Sequence, residues 1–344
     1  MLCSSRRYPM LPSFCSTLPR LLVLAASLAL GACDGAKDAL APAGTDEPAA
    51  PADVLASPAA ESAAPDFALT AGTSPRIVFT STRKGGYDVF KMDILGSSVT
   101  RLTSSMDWEF SPAWSRNNSR IALVRPRRDA SNVAHYDIYV INADGSNGHW
   151  ARSVPSSYDL GNPDWSPDGS RLVVDVNIWG TWYVGWIALA TGQLGVYTTG
   201  FGGLPGRYPT YNPTGQIVYT GGSGTTIDRI NADGTGHKTL ASSAYGVGEP
   251  AVSPDGKKIA FDKVSSGFNQ DIYVKNLVSG TTTRLTTNSA PDLQPCWSAD
   301  GSKIVFMSSR SGQSQIWTMN ATTGGSPTRI THTSTVEKDP ACSH

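Results

Sequence analysis

The chain has 344 residues, enough for one large domain or two ordinary ones. Charged residues make up 16% and hydrophobic residues 40%, while Gly (34) and Pro (23) supply about one residue in six. That balance suits an all-β chain rich in turns and excludes a helical bundle, a coiled coil and a wholly disordered protein. Lys plus Arg (28) equals Asp plus Glu (28), so there is no basic excess of the kind that binds nucleic acid.

Leu21 to Leu30 is the first element, a ten-residue apolar run preceded by Arg6, Arg7 and Arg20. Ten residues are too few to span a bilayer as a helix. Charged, apolar and small-residue regions follow one another as in a secretory signal. Leu30-Gly31-Ala32-Cys33 then resembles the bacterial lipobox, which implies cleavage before Cys33 and lipidation of its thiol. Several acyl chains give stable anchoring where one is marginal. An ordinary signal with a chance cysteine is the alternative. Residues 33–344 carry a formal charge of −3 and keep only Cys296 and Cys342 beside the anchor. In an oxidising compartment such a pair matters.

Residues 34–66 hold twelve Ala, five Pro, seven acidic residues and no aromatic. No hydrophobic face can form, so residues 33–74 are expected to be a disordered tether, spanning roughly 35 Å on average. From residue 75 to residue 344 the chain repeats itself. Trp165-Ser166-Pro167-Asp168-Gly169 is the full form of an anchor whose serine position recurs at 115, 166, 212, 253, 298 and 343, at spacings of 51, 46, 41, 45 and 45. These are the lengths of a four-stranded propeller blade. After each anchor comes a tight turn, then an alternating strand such as Ile77-Val78-Phe79 or Ile304-Val305-Phe306. A third strand such as Asp88-Val89-Phe90 or Asp271-Ile272-Tyr273 follows, and then a fourth ending in Arg101-Leu102-Thr103 or Arg284-Leu285-Thr286. Asp339 to Ser343 is a first strand with nothing after it, and the repeat near Arg76 begins at its second strand. Joined, they make one mixed blade, giving a six-bladed ring of four-stranded antiparallel blades with only short edges.

This repeat resembles the TolB-type β-propeller over residues 75–344. The resemblance implies a propeller that binds a partner lipoprotein, Pal, at the channel mouth. It also brings prolyl-oligopeptidase-like peptidases and oligogalacturonate lyases into view, because related blades occur in both. The peptidases need a G-x-S-x-G elbow and a second domain, and neither is present. The lyases use a histidine-bound manganese. Of the five histidines here only His135 and His332 could approach the longer loops, from blades that are not neighbours. No catalytic constellation, cofactor or metal site is read from the chain. TolB's N-terminal α/β domain is also missing, with an anchor and tether in its place. The leading expectation is therefore an envelope lipoprotein, facing the periplasm or the cell surface, whose propeller binds another protein. A carbohydrate-binding module or lyase-like enzyme, and a structural envelope protein without a defined ligand, are the alternatives.

Trp114, Trp165 and Trp297 share one strand position and are expected to pack blade on blade, while the aspartates of the P-D-G turns are turn formers. The longer connections lie on the opposite face, where binding residues usually sit. The candidates there are Arg125, Arg127, Arg128, Tyr136, Trp179, Trp182, Arg207 and Tyr208. Arginine beside exposed tryptophan is the composition of interface hot spots, and stacked aromatics could equally hold a sugar. Residues preceding the first-strand prolines, namely Ser111, Asn162, Tyr208, Glu249, Gln294 and Asp339, are expected to line the channel mouth. Cys342 stands at the tryptophan position of the mixed blade, and Cys296 one residue before that position in the neighbouring blade. Strand parity then allows two outcomes, a facing pair able to form a disulfide or two thiols pointing apart.

Overall fold

A strand that alternates in burial must cover one face with another sheet, and a short repeat does so by stacking copies around an axis. The computed structural model does this with six four-stranded antiparallel sheets. It describes residues 76–152, 157–199, 202–265 and 267–344, so the signal and tether, Cys33 included, lie outside the described residues. There is no helix among the described residues.

Blade one pairs the C-terminal strand Glu337–Cys342 with Arg76–Ser81, then Asp88–Asp93 and Thr100–Arg101. Blade two runs Phe110–Trp114, Arg120–Arg128, Ala134–Asn142, His149–Trp150. Blade three runs Asp159–Trp165, Arg171–Ile178, Thr181–Ala188, Gln193–Val196. Blade four runs Gly206–Tyr211, Ile217–Gly221, Thr226–Ile230, Lys238–Ser242. Blade five runs Ala251–Val252, Lys258–Val264, Gln270–Asn276, Thr282–Arg284. Blade six runs Asp292–Trp297, Lys303–Ser311, Gln313–Asn320, Thr328–Arg329. Each first strand contacts its counterparts in both neighbouring blades, so the ring is closed. The closing register pairs Ile77 with Cys342 and Ser81 with Glu337.

The second strands form the core. Ile77, Ile121, Leu172, Ile217, Ile259 and Ile304 are all fully buried, one per blade. Trp165 donates its indole Nε1–H to the Ala113 carbonyl of the preceding blade at 3.1 Å, and Trp297 does the same to Ala251 at 3.0 Å. The tryptophans therefore pack blade on blade. At the same register between blades six and one, Cys342 takes the tryptophan's place and Cys296 the acceptor's. The two are bonded, with Cα atoms 5.7 Å apart. This disulfide ties the closing strand to blade six. The seam between that strand and Arg76–Ser81 is held without a covalent bond, by its hydrogen bonds and by apolar packing of Ile77 and Phe79 with Cys342.

In blade two Asp137 pairs with Arg152 at 2.7 Å. In blades one and five the third-strand aspartate meets the arginine of the R-L-T segment, Asp88 with Arg101 at 2.9 Å and Asp271 with Arg284 at 2.6 Å. The threonine that follows accepts a backbone N–H of the third strand, as Thr103 does from Val89 and Thr286 from Ile272, both at 2.9 Å. A two- or three-residue outer strand is thus pinned by side chains where its ladder is too short to hold it.

Candidate functional site

The channel is shaped by one recurring irregularity. In five blades the register between first and second strand slips by one residue around the x-Pro pair. A β-bulge re-aims the side chain at that point. Ser111, Asn162, Tyr208, Gln294 and Asp339 sit there in the left-handed region, at φ between 42° and 56°. Non-glycine residues hold this conformation only when their surroundings enforce it. Glu249 takes the same place in blade five, after Gly248, where an added Cβ would run into Asp262. Ser111, Asn162, Tyr208, Gln294 and Asp339 fall within their first strands and Glu249 just before its own, and together they ring the channel as a waist.

The waist is a hydrogen-bonded belt. Ser111 Oγ donates to Asn162 Oδ1 at 3.0 Å and its N–H to Asp339 Oδ2 at 3.3 Å. Gln294 Nε2 donates to Asp339 Oδ1 at 2.7 Å and to Glu249 Oε1 at 3.3 Å, and the Asp339 N–H returns a bond to Gln294 Oε1 at 2.9 Å. Asn162 Nδ2 and the Tyr208 N–H both reach Asp175, at 2.6 and 2.8 Å. Burial drives Asp175, Asp262 and Glu249 toward their neutral forms. It pushes Asp175 up to about 6 against the pull of Arg207, and Asp262 to about 7. Glu249 is pushed to about 8, by burial first and then by Asp262 and Asp339. Burial and Glu249 raise the Tyr208 hydroxyl as well. Sequence reasoning missed Asp175 and Asp262. Their signal is a carboxylate at the second-strand position that other blades fill with Thr80, Val124, Thr220 or Met307.

Between the waist and the tight-turn face lies an axial cavity of about 180 Å³, walled by Pro112, Pro163, Pro209, Pro250, Pro295 and Pro340. His344 lines it and is bound to blade two. Its Nδ1 lies 2.9 Å from Arg116, and its backbone N–H and C=O bond the Asn118 side chain at 3.0 and 2.7 Å. Burial and Arg116 hold the His344 imidazole well below its ordinary pKa, so it is neutral.

The longer-loop face receives the other candidates, and it sorts them. Arg125 is 2.8 Å from buried Glu109 and lies over Tyr139. Arg127 lies over Trp150, donates to the Arg152 carbonyl at 3.1 Å and stands 3.7 Å from Asp137. Both are therefore tied into blade two by these contacts. Arg83 and Arg310 are built in the same way, on Glu337 at 2.9 Å and Asp292 at 2.6 Å. Arg128 is exposed and donates to the Asn132 carbonyl. Tyr136 is half-buried, edge-on to Phe110, and burial raises its hydroxyl pKa. Trp179 stands 61% exposed at the hairpin tip of blade three. Arg207 lies 4.4 Å over Trp182 and 4.8 Å over Tyr208. Trp182, Arg207 and Tyr208 thus come together, and Trp179 stands at the tip of the hairpin that carries Trp182. His135 stands between Asp129 and Asp159, at 3.3 and 3.6 Å. No group of three or more His, Cys, Asp or Glu side chains is placed to hold a metal among the described residues.

Residues 209–344 match the family described as the TolB beta propeller domain (PD40). No curated protein sequence matches the chain. Among solved structures, TolB from Acinetobacter baumannii superposes with a TM-score of 0.65 at 21% identity, over 78% of this chain and 66% of that one. The chain thus spans somewhat under two thirds of that TolB's length. A putative TolB from Agrobacterium tumefaciens gives 0.59 at 17% identity, over 76% of this chain and 90% of its own. An oligogalacturonate lyase in complex with manganese gives 0.51 at 18%, over 74% and 73%. Proteins of unlike activity share this architecture, so the fold alone does not decide for or against catalysis. What sequence and architecture agree on is narrower and firm: the described ring is a six-bladed β-propeller whose residues 209–344 match the TolB beta propeller family.

Proposed function

We propose that this propeller is a protein-interaction module of the bacterial cell envelope, anchored by a lipid on Cys33 and a tether over residues 33–74. The observation that carries the reading is the patch on the longer-loop face: Trp182, Arg207 and Tyr208 together, with exposed Trp179 at the tip of the hairpin that carries Trp182. Rigid aromatics around a stacked arginine on a fixed scaffold are the elements that concentrate binding energy. A Pal-like lipoprotein is the partner that the TolB likeness suggests.

The exposed Trp179 ring also suits a sugar, which keeps glycan binding as the second reading. A crosslinked pull-down of the lipidated protein from its native envelope tests both. One protein enriched with the wild type and lost with W179A/W182A is the expected result. No enriched protein, with a glycan retained instead, would replace the first reading by the second.

A further inference from the structure

Five of the six blades keep one third-strand position apolar and buried. Met92, Ile141, Ile187, Ile230 and Met319 hold it, each the ladder partner of an apolar second-strand residue. Each packs toward the preceding blade. In blade five the same position, opposite Ile259, is Lys275.

Its counterpart on the facing sheet is charged as well. Val140 and Ile187 share one core cluster between blades two and three, Trp186 and Ile230 one between three and four, and Val274 and Met319 one between five and six. Between blades four and five the same two places hold Arg229 and Lys275. Arg229 is the ladder partner of Val218, which packs with Ile259 and Phe261 of blade five, so it lies on the face turned to that blade. Two like charges thus stand where the repeat puts an apolar contact.

The packing opens at this place. A cleft of about 340 Å³ separates the outer strand Lys238–Ser242 of blade four from Phe261, Lys263, Lys275 and Thr282 of blade five. Lys238 pairs with Arg229 in the ladder and shares its face. Among the described residues none of these four cations forms an ion pair. The acid opposite Lys263 in the ladder, Asp271, is held by Arg284 at 2.6 Å. Lys263 leans on the Tyr273 ring at 5.3 Å, Lys275 donates to the Gly280 carbonyl at 3.2 Å, and the buried Arg229 Nε has no hydrogen-bond partner. Ammonium groups are point charges that can converge on one ion from several sides. A compact oxyanion with more than one charge suits them, because a single carboxylate leaves cations over.

We propose that the cleft between blades four and five binds a phosphate group, with Lys263 and Lys275 on its oxygens and Arg229 and Lys238 facing it from the neighbouring sheet. The site lies on the outer flank of the ring and does not depend on the partner reading.

The test uses the full lipidated chain in non-ionic detergent and inorganic pyrophosphate, read by isothermal calorimetry at pH 7 and low salt. Wild type is expected to bind. K263M and K275M should each weaken binding about tenfold, the loss of one hydrogen bond to a charged group. K275M also restores the residue type of blades one and six, so it should raise the melting temperature while losing affinity, which misfolding does not do. K84M, in an exposed turn of blade one, should change neither. Absent binding, binding indifferent to both K263M and K275M, or citrate binding as tightly as pyrophosphate overturns the proposal. Displacement of pyrophosphate by glycerol 3-phosphate in solution would assign the phosphate to a soluble ligand. Displacement only by lysophosphatidate in the micelle would assign it to a lipid headgroup, and displacement by neither overturns the site.

Discussion

The two ends of the channel are made from the same repeat and differ in how closely they follow it. At the tight-turn end the repeat is kept. Prolines wall the cavity in all six blades, and the turn aspartates bond their own turns, as Asp168 does with Ser166 and Ser170. Where a residue departs from the pattern, it takes over a structural bond. Cys342 replaces the inter-blade indole, and Asn118 stands where blades three to six have Gly169, Gly215, Gly256 and Gly301, and there it holds His344. At the longer-loop end the departures leave groups unused: Trp179 in the open, Arg207 and Lys338 without short acceptors. Departure from a repeat is therefore not itself a mark of function; what the departing residue bonds to is.

This contrast can be broken by experiment. The largest effect is expected from C296A/C342A. Closing a loop 46 residues long lowers the entropy of the unfolded chain, so losing the bond should cost about 4 kcal/mol. It would appear as a lower urea midpoint. An unchanged midpoint would show that the closing strand does not depend on the bond.

Asn118 gives a smaller and sharper test. N118A removes two hydrogen bonds and puts a Cβ residue without a polar side chain at φ 56°, for about 2 kcal/mol. N118G removes the bonds and relieves the backbone, so it should cost about half as much. No loss with N118G would mean that the His344 contact contributes nothing.

The smallest effect concerns the waist. The folded-state pKa of Glu249 is raised, so its contribution to stability is present below its unfolded pKa and fades as pH rises through about 8. E249Q keeps the shape and cannot ionise beside Asp262 and Asp339. It should match wild type at pH 5 and melt a few degrees higher at pH 8.5 in calorimetry. A wild-type advantage at the higher pH would contradict a protonated Glu249.

The repeat made the architecture legible because its period and turn chemistry are local. Trp165 and Trp297 could be placed between blades, and the ring could be closed, from spacing alone. Pairings that depend on register were harder. Asp88 and Arg101 belong to quoted motifs, yet only the three-dimensional sheet shows that the motifs meet. The contacts of Arg125 and Arg127 were equally hidden, because their acceptors, Glu109 and Asp137, come from other parts of the blade. The bulge that carries Ser111 to the waist is a change of register by one residue, which alternation of hydrophobicity does not reveal. Strand parity left Cys296 and Cys342 open for a similar reason, since it fixes a face and not which way that face looks.

The seam at the closing blade sets an order of events. Ile77, Val78 and Phe79 are completely buried, and the strand that completes their sheet is Glu337–Cys342. Until those residues are made and delivered, the first-formed blade carries an open edge, with its hydrogen-bonding groups free to pair with another chain. Contacts that span nearly the whole sequence form slowly, because the loop between them must first be closed. The ring is thus finished by its last strand, and the interval before that strand arrives is when the nascent chain is most exposed to misassembly.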